Sequence, residues 1–470
     1  MVSLLSVLVG VAAVCVLAFI KWRVDRKRLT APGPPGIPIF YNLIEAVSKN
    51  EKFYDWIYDM TLKYGKVCVF SIPRKPLDFV LIDPAAVNHI LKVNFDNYIK
   101  GNAVSLLGDG IFNTNGSCWK QQRQTASHLF KVRELRSMVP IFVQHGQEVV
   151  EILKANEGQV VDVQELFCRA TLDSIGEIAF GKAIGSLKKD VSFSKAFNTA
   201  TLACDYRFRY PWYRWTPWSE MEWKLREVID ERRQKSLDEG TDLLSRCLSI
   251  GDDDGLPFSD KFLRDIIMNF IIAGRDTTAQ TLTWLFYLLS QYPDVRQQVA
   301  DEIKDELKGG LPTYDNVQQL KCLERVIDET LRLYPPVPVD RKSAVKDDVL
   351  PDGTFIPAGS DIAYSPWVLG RHPRLLGRPL SCKPDRWLGS EHNGGKPVPS
   401  VGTLPFIPFN YGPRTCLGVK MAYLEVKVLA CLLLQQLSLE LVPGHDVSYL
   451  PAVTISARHG MKMIPALSTQ

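Results

Sequence analysis

The stretch of this chain best suited to chemistry surrounds one cysteine near the C-terminus. Residues 409–418 read FNYGPRTCLG, and an apolar helical pattern begins directly afterwards, near Val419. Backbone N–H groups and the helix dipole at such a position favour a thiolate at Cys416, and Arg414 adds a positive charge. Gly412 and Gly418 have no Cβ, so the loop could lie against a flat ligand. A lone anionic sulfur can ligate a haem iron and favour O–O cleavage, whereas a buried structural cysteine is the alternative.

A second candidate combines an acid with two hydroxyls in the sequence AGRDTT at residues 273–278. These residues lie within a helical pattern from about 259 to 292. Gly274 and the adjacent threonines weaken the helix interior, and threonine hydroxyls can bond to carbonyls of the preceding turn and bend the helix. By itself the pair Asp276 and Thr277 also fits an ordinary helix.

Two further pairs have helical spacing. Glu329 and Arg332 lie three residues apart on one helix face, where exposed ion pairs are common and stabilise a helix by only tenths of a kcal/mol. Trp119 and Arg123 lie four apart, and both can donate hydrogen bonds to a carboxylate. A surface helix with a half-buried tryptophan is the alternative for the second pair.

The elements that must carry these residues are mostly helical. Apolar spacing predicts helices at 119–153, 163–179, 220–247, 259–292, 294–307, 315–333 and 418–437. Strands are predicted at 66–72 and 79–83, on either side of a turn, and at 353–364 and 447–464. The predicted fold class is mainly α with a small β portion.

The N-terminus predicts a single transmembrane helix. Nineteen residues from Val2 to Ile20 carry no charge, and as a helix they would extend about 28 Å, close to the thickness of a bilayer core. A basic cluster follows at residues 21–28, which places the rest of the chain in the cytosol. A signal peptide is the alternative, but its charges would precede the apolar stretch. Residues 1–24 are therefore predicted to be an anchor with a basic flank, and 25–40 a proline-rich hinge.

Composition excludes several other classes of protein. The 470 residues are 46% hydrophobic and 23% charged with a net charge of +4, which does not fit a disordered chain or a dedicated nucleic-acid binder. The ten cysteines are never closer than fifteen residues, which removes every C-x-x-C zinc or redox motif. The acidic residues 252–254, between Gly251 and Gly255, lack the spacing of a calcium loop and are predicted to be a solvated loop.

Residues 409–418 match every fixed position of Phe-x-x-Gly-x-Arg-x-Cys-x-Gly, the signature of the cytochrome P450 family of haem-thiolate monooxygenases, which the chain resembles from about residue 32 to 465. The resemblance implies the cytochrome P450 fold, with Cys416 as the axial ligand of a haem b iron. Arg414, and Trp119 with Arg123, would contact the haem propionates.

The same resemblance gives roles to the remaining candidates. Thr277 would hold dioxygen or its water on the distal side of the haem, and Asp276 would connect the site to solvent. Glu329, Arg332 and Arg386 of the segment KPDRW would form a buried structural triad that fixes the cysteine loop. The family's usual glutamate before that arginine is Asp385 here, a mild departure.

The resemblance also implies how the domains and partners are arranged. Residues 41–470 would form one haem-binding monooxygenase domain that uses O2 and receives electrons from NADPH. No nicotinamide or flavin fingerprint is present, so a separate NADPH–cytochrome P450 reductase is implied, with cytochrome b5 as a second candidate partner. The protein would be single-pass in the endoplasmic reticulum membrane, with a cytosolic catalytic domain, contacts to membrane lipid and a lipophilic substrate. No nucleic-acid partner is expected.

Four segments further resemble the fatty-acid ω-hydroxylase group of plants and fungi, namely 106–112, 171–175, 273–278 and 347–354. They predict a long-chain fatty acid as substrate, oxidised at or near its methyl end. Aromatic residues between 206 and 218 could contact the membrane, or equally pack in the core. The alternatives are a monooxygenase of specialised metabolism acting on a terpenoid or polyketide, an enzyme that rearranges a pre-oxidised lipid, and a haem sensor without turnover.

Overall fold

The computed structural model describes residues 4–27, 29–73, 77–101, 107–181, 184–189, 197, 201, 259–389 and 403–468, and of residues 4–11 and 25 it describes the backbone alone. The predicted helix at 220–247, the aromatic residues between 206 and 218 and the acidic loop at 251–255 lie outside these ranges.

Helices dominate the described residues, as predicted. In chain order they are α1 Leu4–Lys27, α2 Leu43–Ser48, α3 Phe53–Tyr64, α4 Pro84–Asn88, α5 Gly116–Ser127, α6 Val132–Ala155, α7 Val163–Phe180, α8 Asp260–Gln291, α9 Pro293–Leu307, α10 Lys321–Leu333, α11 Pro366–Leu369 and α12 Val419–Leu434. Within these residues, no helix has both the length and the apolar character needed to cross a membrane.

The helix predicted at 119–153 proves to be two. α5 is followed by a 3-10 turn at His128–Phe130 and by Lys131 in an extended conformation, and α6 begins after it. The apolar spacing continues through the break, so periodicity could not reveal it. Phe130 lies near Gly418, where it is 3.5 Å from the position a Cβ would take. The interruption therefore brings an aromatic ring to the cysteine loop.

The helices that carry the candidate residues begin and end where their capping residues require. The Ser259 hydroxyl accepts the Phe262 N–H at 3.3 Å, which caps the N-terminus of α8. Asp162 caps α7 in the same way, and Gly181 ends that helix in the left-handed conformation. The predicted bounds of both helices agree with the structure within one residue. α10 begins at Lys321, later than predicted, because a 3-10 turn occupies Asn316–Gln318.

The strands are short. They are β1 Val67–Phe70, β2 Asp78–Leu81, β3 Tyr98–Ile99, β4 Val161–Asp162, β5 Asp340–Ala344, β6 Asp348–Val349, β7 Phe355–Ile356, β8 Asp361–Tyr364, β9 Leu437–Leu441, β10 Tyr449–Leu450, β11 Ser456–Ala457 and β12 Lys462–Leu467. Five of them form a sheet in the order β1-β2-β8-β5-β3. β1 and β2 correspond to the strands predicted at 66–72 and 79–83, and they pair antiparallel. The sequence did not predict β3, β4, β5, β6 and β9.

The described residues form two large hydrophobic cores and one small cluster, which consists of Leu288, Leu333 and Cys382. The larger core lies among α6, α7, α8, α10 and α12, with α8 against α7 and α12 against α6. The smaller core lies between the five-stranded sheet and helices α3 and α11. The mainly helical fold class with a small β portion is thereby confirmed.

Candidate functional site

Cys416 lies just ahead of α12, as the sequence predicted. Its backbone N–H donates to the carbonyl of Phe409 at 2.8 Å, and its Sγ accepts the N–H of Gly418 at 3.3 Å. Many protein atoms surround the sulfur, but the side chain keeps exposed surface, so a ligand can reach it.

Gly412 is required by a contact with another part of the backbone. Its φ is +71°, and a Cβ at this position would overlap the carbonyl oxygen of Leu91. Gly418 has more room, since a Cβ there would come only within 3.5 Å of Phe130 and 3.8 Å of the Cys416 sulfur. The two glycines thus act differently, and only Gly418 borders the sulfur.

Burial dominates the electrostatics of the sulfur. It raises the pKa of the Cys416 thiol, while the Gly418 N–H and the charge of Arg123 lower it by less. The prediction that the helix start and Arg414 favour a thiolate is therefore incomplete. The nearby arginine charge comes from Arg123, and a metal ion bound at the sulfur would favour the thiolate further, since a coordinating thiol loses its proton.

Trp119, Arg123 and Arg414 meet in one cluster. The Arg414 guanidinium carbon lies 4.5 Å from the centroid of the Trp119 ring, and that of Arg123 lies 5.9 Å from it. Arg123 Nη2 donates to the carbonyl of Thr415 at 2.7 Å, directly beside the cysteine. Trp119 is 6% exposed, so it is not the half-buried surface residue of the alternative. The side chains predicted to bind propionates thus adjoin the cysteine loop.

Lys342 is a candidate that sequence reasoning missed. This lysine on β5 is 1% exposed, and its Nζ has no hydrogen-bond partner among the described residues. Burial and the charges of Lys100 and Arg414 lower its pKa to about 7, although Asp340 opposes them. A lysine in the middle of a strand could have indicated a buried cation, but residues 340–344 (DRKSA) were not predicted to form a strand.

A ligand with carboxylates would suit this cluster. A buried ammonium without a partner is costly, and an anion beside it would remove that cost. Burial also lowers the pKa of Arg414, to about 10, although Asp340 opposes this. The described cations Lys342, Arg414 and Arg123 therefore fit a flat group that carries two carboxylates on one edge and presents a metal to Cys416.

On α8, Thr277 and Asp276 differ in environment. The Thr277 hydroxyl donates to the carbonyl of Ala273 at 2.6 Å, the bond to the preceding turn that the sequence predicted. Asp276 is 4% exposed and accepts from Arg275 Nη1 at 2.6 Å, and its Oδ2 has no partner within the described part of the chain. Burial raises the pKa of Asp276, while the Arg275 charge lowers it by less. Gly274 lies where a Cβ would be 2.6 Å from Ile175, so it permits close contact between α8 and α7.

Glu329, Arg332 and Arg386 form one fully buried network, each no more than 1% exposed. Arg332 donates through Nε and Nη2 to the two oxygens of Glu329 at 2.9 and 2.8 Å. The same guanidinium donates to the carbonyls of Gly370, Pro379 and Ser381. Arg386, from a distant segment, also donates to Glu329. It thereby joins the ion pair that Glu329 and Arg332 form on α10.

The network reaches the segment ahead of the cysteine through one tryptophan. Trp387 donates through Nε1 to Glu329 Oε2 at 3.2 Å, and its ring centroid lies 4.6 Å from that of Phe406. Phe406 lies three residues before Phe409, whose carbonyl accepts the N–H of Cys416. The triad's contact with the cysteine loop is therefore indirect.

Comparison with known proteins agrees with this geometry. The family model described as "Cytochrome P450" matches residues 31–453. Cytochrome P450 704B1 of Arabidopsis thaliana is 33% identical to this chain over 92% of this chain and 94% of its own length. Cytochrome P450 94A1 of Vicia sativa is 37% identical over 73% of this chain and 72% of its own length. Cytochrome P450 monooxygenase cyp1 of Mycosarcoma maydis is 33% identical over 93% and 74%. Since the family model covers most of the chain and relatives of 33% identity span more than nine-tenths of it, this chain belongs to the cytochrome P450 family of haem-thiolate monooxygenases.

Proposed function

We propose that this monooxygenase hydroxylates a long-chain fatty acid at or near its methyl end, with O2 and with electrons that a separate reductase takes from NADPH. The observation that carries the reaction class is the Cys416 sulfur, which is accessible to a ligand and lies on a loop that adjoins the cluster of Trp119, Arg123 and Arg414. The four segments that resemble fatty-acid ω-hydroxylases support the lipid substrate.

Four side chains hold the cofactor's carboxylates in this proposal, and Cys416 holds its iron. Arg123 and Arg414 offer guanidinium donors, Trp119 offers an indole N–H, and Lys342 offers an ammonium that lacks a hydrogen-bond partner among the described residues. When bound, a haem with a thiolate ligand supplies the activation of O2 and the cleavage of its O–O bond. The protein orients the cofactor, balances the charge of its carboxylates and delivers protons to the reaction site.

Proton transfer is assigned to Asp276 and Thr277. The Asp276 carboxylate is buried with a raised pKa and keeps one oxygen without a partner among the described residues. Arg275 holds the other oxygen at 2.6 Å and thereby orients the group. Thr277 follows directly, and its hydroxyl can still accept a hydrogen bond while it donates to Ala273. The two residues together could accept a proton from solvent and present it on the substrate side of α8.

The N-terminal region is proposed to anchor the protein in the endoplasmic reticulum membrane, with the catalytic domain in the cytosol. Five apolar side chains of α1 are 44 to 66% exposed, namely Val14, Val16, Leu17, Phe19 and Ile20. Arg26 and Lys27 occupy the last turn of the same helix. Apolar side chains facing outward and a basic end suit insertion with the positive end at the cytosolic surface. Deleting residues 1–24 should release the protein from microsomes into the soluble fraction.

A carbon monoxide difference spectrum of the reduced protein tests the reaction class. Thiolate ligation shifts the main haem band characteristically, and Cys416→Ser should abolish that shift. Cys431→Ser serves as the matched control, because Cys431 is a buried cysteine of α12 that should leave the band unchanged. An unshifted band in the wild-type protein would refute the assignment of Cys416.

Product analysis then tests the substrate. Purified protein, a reductase and NADPH are incubated with fatty acids of graded chain length, and products are identified by mass spectrometry. Hydroxylation at or near the methyl end supports the proposal. A shifted haem band with no product from any chain length would contradict the lipid substrate and favour a terpenoid or polyketide panel instead.

A further inference from the structure

Residues 107–115, directly ahead of α5, are held by two side chains of α8. Asp265 Oδ2 accepts the N–H of Asp109 at 2.9 Å. Asn269, one turn further along α8, accepts the N–H of Phe112 at 3.1 Å through Oδ1 and donates through Nδ2 to the carbonyl of Leu107 at 2.9 Å. Asp265 and Asn269 are each 1% exposed. This loop, residues 107–115, is therefore fixed to the helix that carries Thr277.

The contact requires glycine at two loop positions. A Cβ at Gly108 would overlap the Asp265 carboxylate, and Gly108 also has a φ of +49°. A Cβ at Gly110 would overlap the Asn269 amide. The α8 side chains thus fill the space that any other residue would need. Loop and helix fit together closely at both positions.

The same loop binds the arginine of the cofactor cluster. Arg414 Nη2 donates to the carbonyl of Thr114 at 2.7 Å and to Asn115 Oδ1 at 3.0 Å, and its Nη1 contacts the carbonyl of Ile111 at 3.4 Å. These acceptors lie within a few residues of the loop atoms that α8 holds. A displacement of the loop from α8 would therefore move the acceptors that orient the Arg414 guanidinium.

We propose that Asp265 and Asn269 are positioning residues for the cofactor, because they fix loop 107–115 and through it the direction of the Arg414 guanidinium. The inference rests on the proposed function in one respect, that Arg414 binds a cofactor carboxylate. The helix that carries Thr277 and the arginine of the cofactor cluster are then joined by one short loop. Neither residue touches the cofactor in this account.

The test measures the rate at which the full-length holoprotein loses haem to an excess of a haem-scavenging apoprotein. Gly110→Ala should speed that loss about tenfold, the effect of weakening one hydrogen bond to a charged group. Gly101→Ala is the matched control, because a Cβ there meets nothing nearer than 3.7 Å. The reduced carbon monoxide band should stay shifted in both variants, since Cys416 is unchanged.

A double-mutant cycle separates positioning from general destabilisation. Asn269→Ala should also speed haem loss, and Gly110→Ala/Asn269→Ala should be no faster than the faster single variant, because both changes break one contact. Thr283→Ala, elsewhere on α8, should lower Tm without altering haem loss. If Gly110→Ala fails to fold, haem loss is measured in Asn269→Ala alone. This variant removes a side chain and therefore introduces no steric overlap.

The outcomes distinguish this inference from the proposed function. Wild-type haem-loss rates in Gly110→Ala and Asn269→Ala, or effects that add in the double variant, would overturn the positioning role while the shifted band upholds Cys416. An unshifted band in the wild-type protein would instead refute the proposed function and, with it, this inference.

Discussion

Arg386 Nε donates to both oxygens of the Glu329 carboxylate, at 3.0 Å each, across 57 residues of sequence. Its Nη atoms donate to the carbonyls of Gly377, Arg378 and Ser381. Glu329 Oε1 also accepts the N–H of Lys383 at 2.6 Å. Because the carboxylate and guanidinium are 0% exposed, water cannot replace either partner.

Replacing Arg386 should therefore be severe. Arg386→Ala would leave part of the Glu329 charge and several buried carbonyls without donors, and we expect a loss of about 3 to 5 kcal/mol with a clear fall in Tm. Arg386→Lys should recover little, because an ammonium cannot reproduce the planar fork. Thermal unfolding followed by circular dichroism measures both variants.

An exposed pair of the same chemistry provides the control. Arg136 donates through both Nη atoms to the two oxygens of Asp315 at 2.7 Å, but these side chains are 50% and 72% exposed. Arg136→Ala should leave Tm essentially unchanged, since solvent replaces the lost bonds. Equal losses of Tm in Arg136→Ala and Arg386→Ala would contradict the importance given to burial.

Lys342→Met should change cofactor affinity and apoprotein stability in opposite directions. Removing a buried ammonium that has no hydrogen-bond partner among the described residues should raise the Tm of the apoprotein, whereas haem affinity should fall about tenfold or more because a carboxylate loses a charged donor. Haem titration and thermal unfolding provide the two readouts. Lys346→Met, at an exposed site, should alter neither. Lower stability of the Lys342→Met apoprotein would count against the proposal.

Haem affinity should also depend on pH through Lys342. Its pKa is lowered to about 7 without the cofactor, and a bound carboxylate would raise it. Binding then takes up a proton above about pH 7, so affinity should fall as pH rises from about 7 towards 10. Lys342→Met should lack this part of the dependence. If haem affinity depended on pH identically in the wild type and in Lys342→Met, Lys342 would not change its protonation when haem binds.

Thr277→Ala should separate NADPH consumption from product formation. Haem content and the shifted carbon monoxide band should be retained, while the product formed per NADPH falls because proton delivery is impaired. Thr283→Ala is the matched control on α8, since its hydroxyl donates to Ala279 in the same way at 2.8 Å. If Thr277→Ala left turnover unchanged, rearrangement of a pre-oxidised lipid would become the better hypothesis.

Glu425→Gln should stabilise the protein increasingly as pH rises. Burial raises the pKa of this α12 carboxyl to about 8, partly opposed by Ser174. Between its usual pKa near 4.5 and about 8, the folded wild type holds a proton that the unfolded chain releases. The free energy of unfolding of the wild type should therefore fall by up to about 1.4 kcal/mol per pH unit in this window. The Glu425→Gln variant should not lose this stability, because glutamine cannot ionise.

The Tm difference between Glu425→Gln and wild type should accordingly grow from about pH 5 to about pH 8 and then level off. Glu440→Gln, on the exposed side of β9, should show no such trend. A Tm difference independent of pH would mean that Glu425 titrates normally in the folded protein.

Local features of the site were readable from sequence. The fixed residues around Cys416, the back-bonding threonine at 277 and the bounds of α7 and α8 depend on neighbours within a few positions, so spacing and residue type suffice to predict them. The N-terminal cap at Ser259 is likewise a local hydrogen bond. The triad was also expected, but only from the resemblance.

Contacts between distant segments needed the tertiary structure. Lys342 lies on a strand whose pairing with β8 and β3 is set by residues far along the chain, and the helical pattern hid the break at Lys131. Burial likewise determined the pKa shifts of Lys342 and Cys416. The type of a residue does not reveal whether its charged group will be in contact with solvent.

The glycines make the division plain. Sequence alone determined that residues 108 and 412 carry no Cβ and that a cysteine stands ahead of a helix. Only the folded chain decided that Gly108 makes room for Asp265, Gly412 for the backbone at Leu91, and that burial raises the Cys416 pKa. Steric fit and desolvation depend on which atoms meet in space, and that is set by packing across long sequence separations.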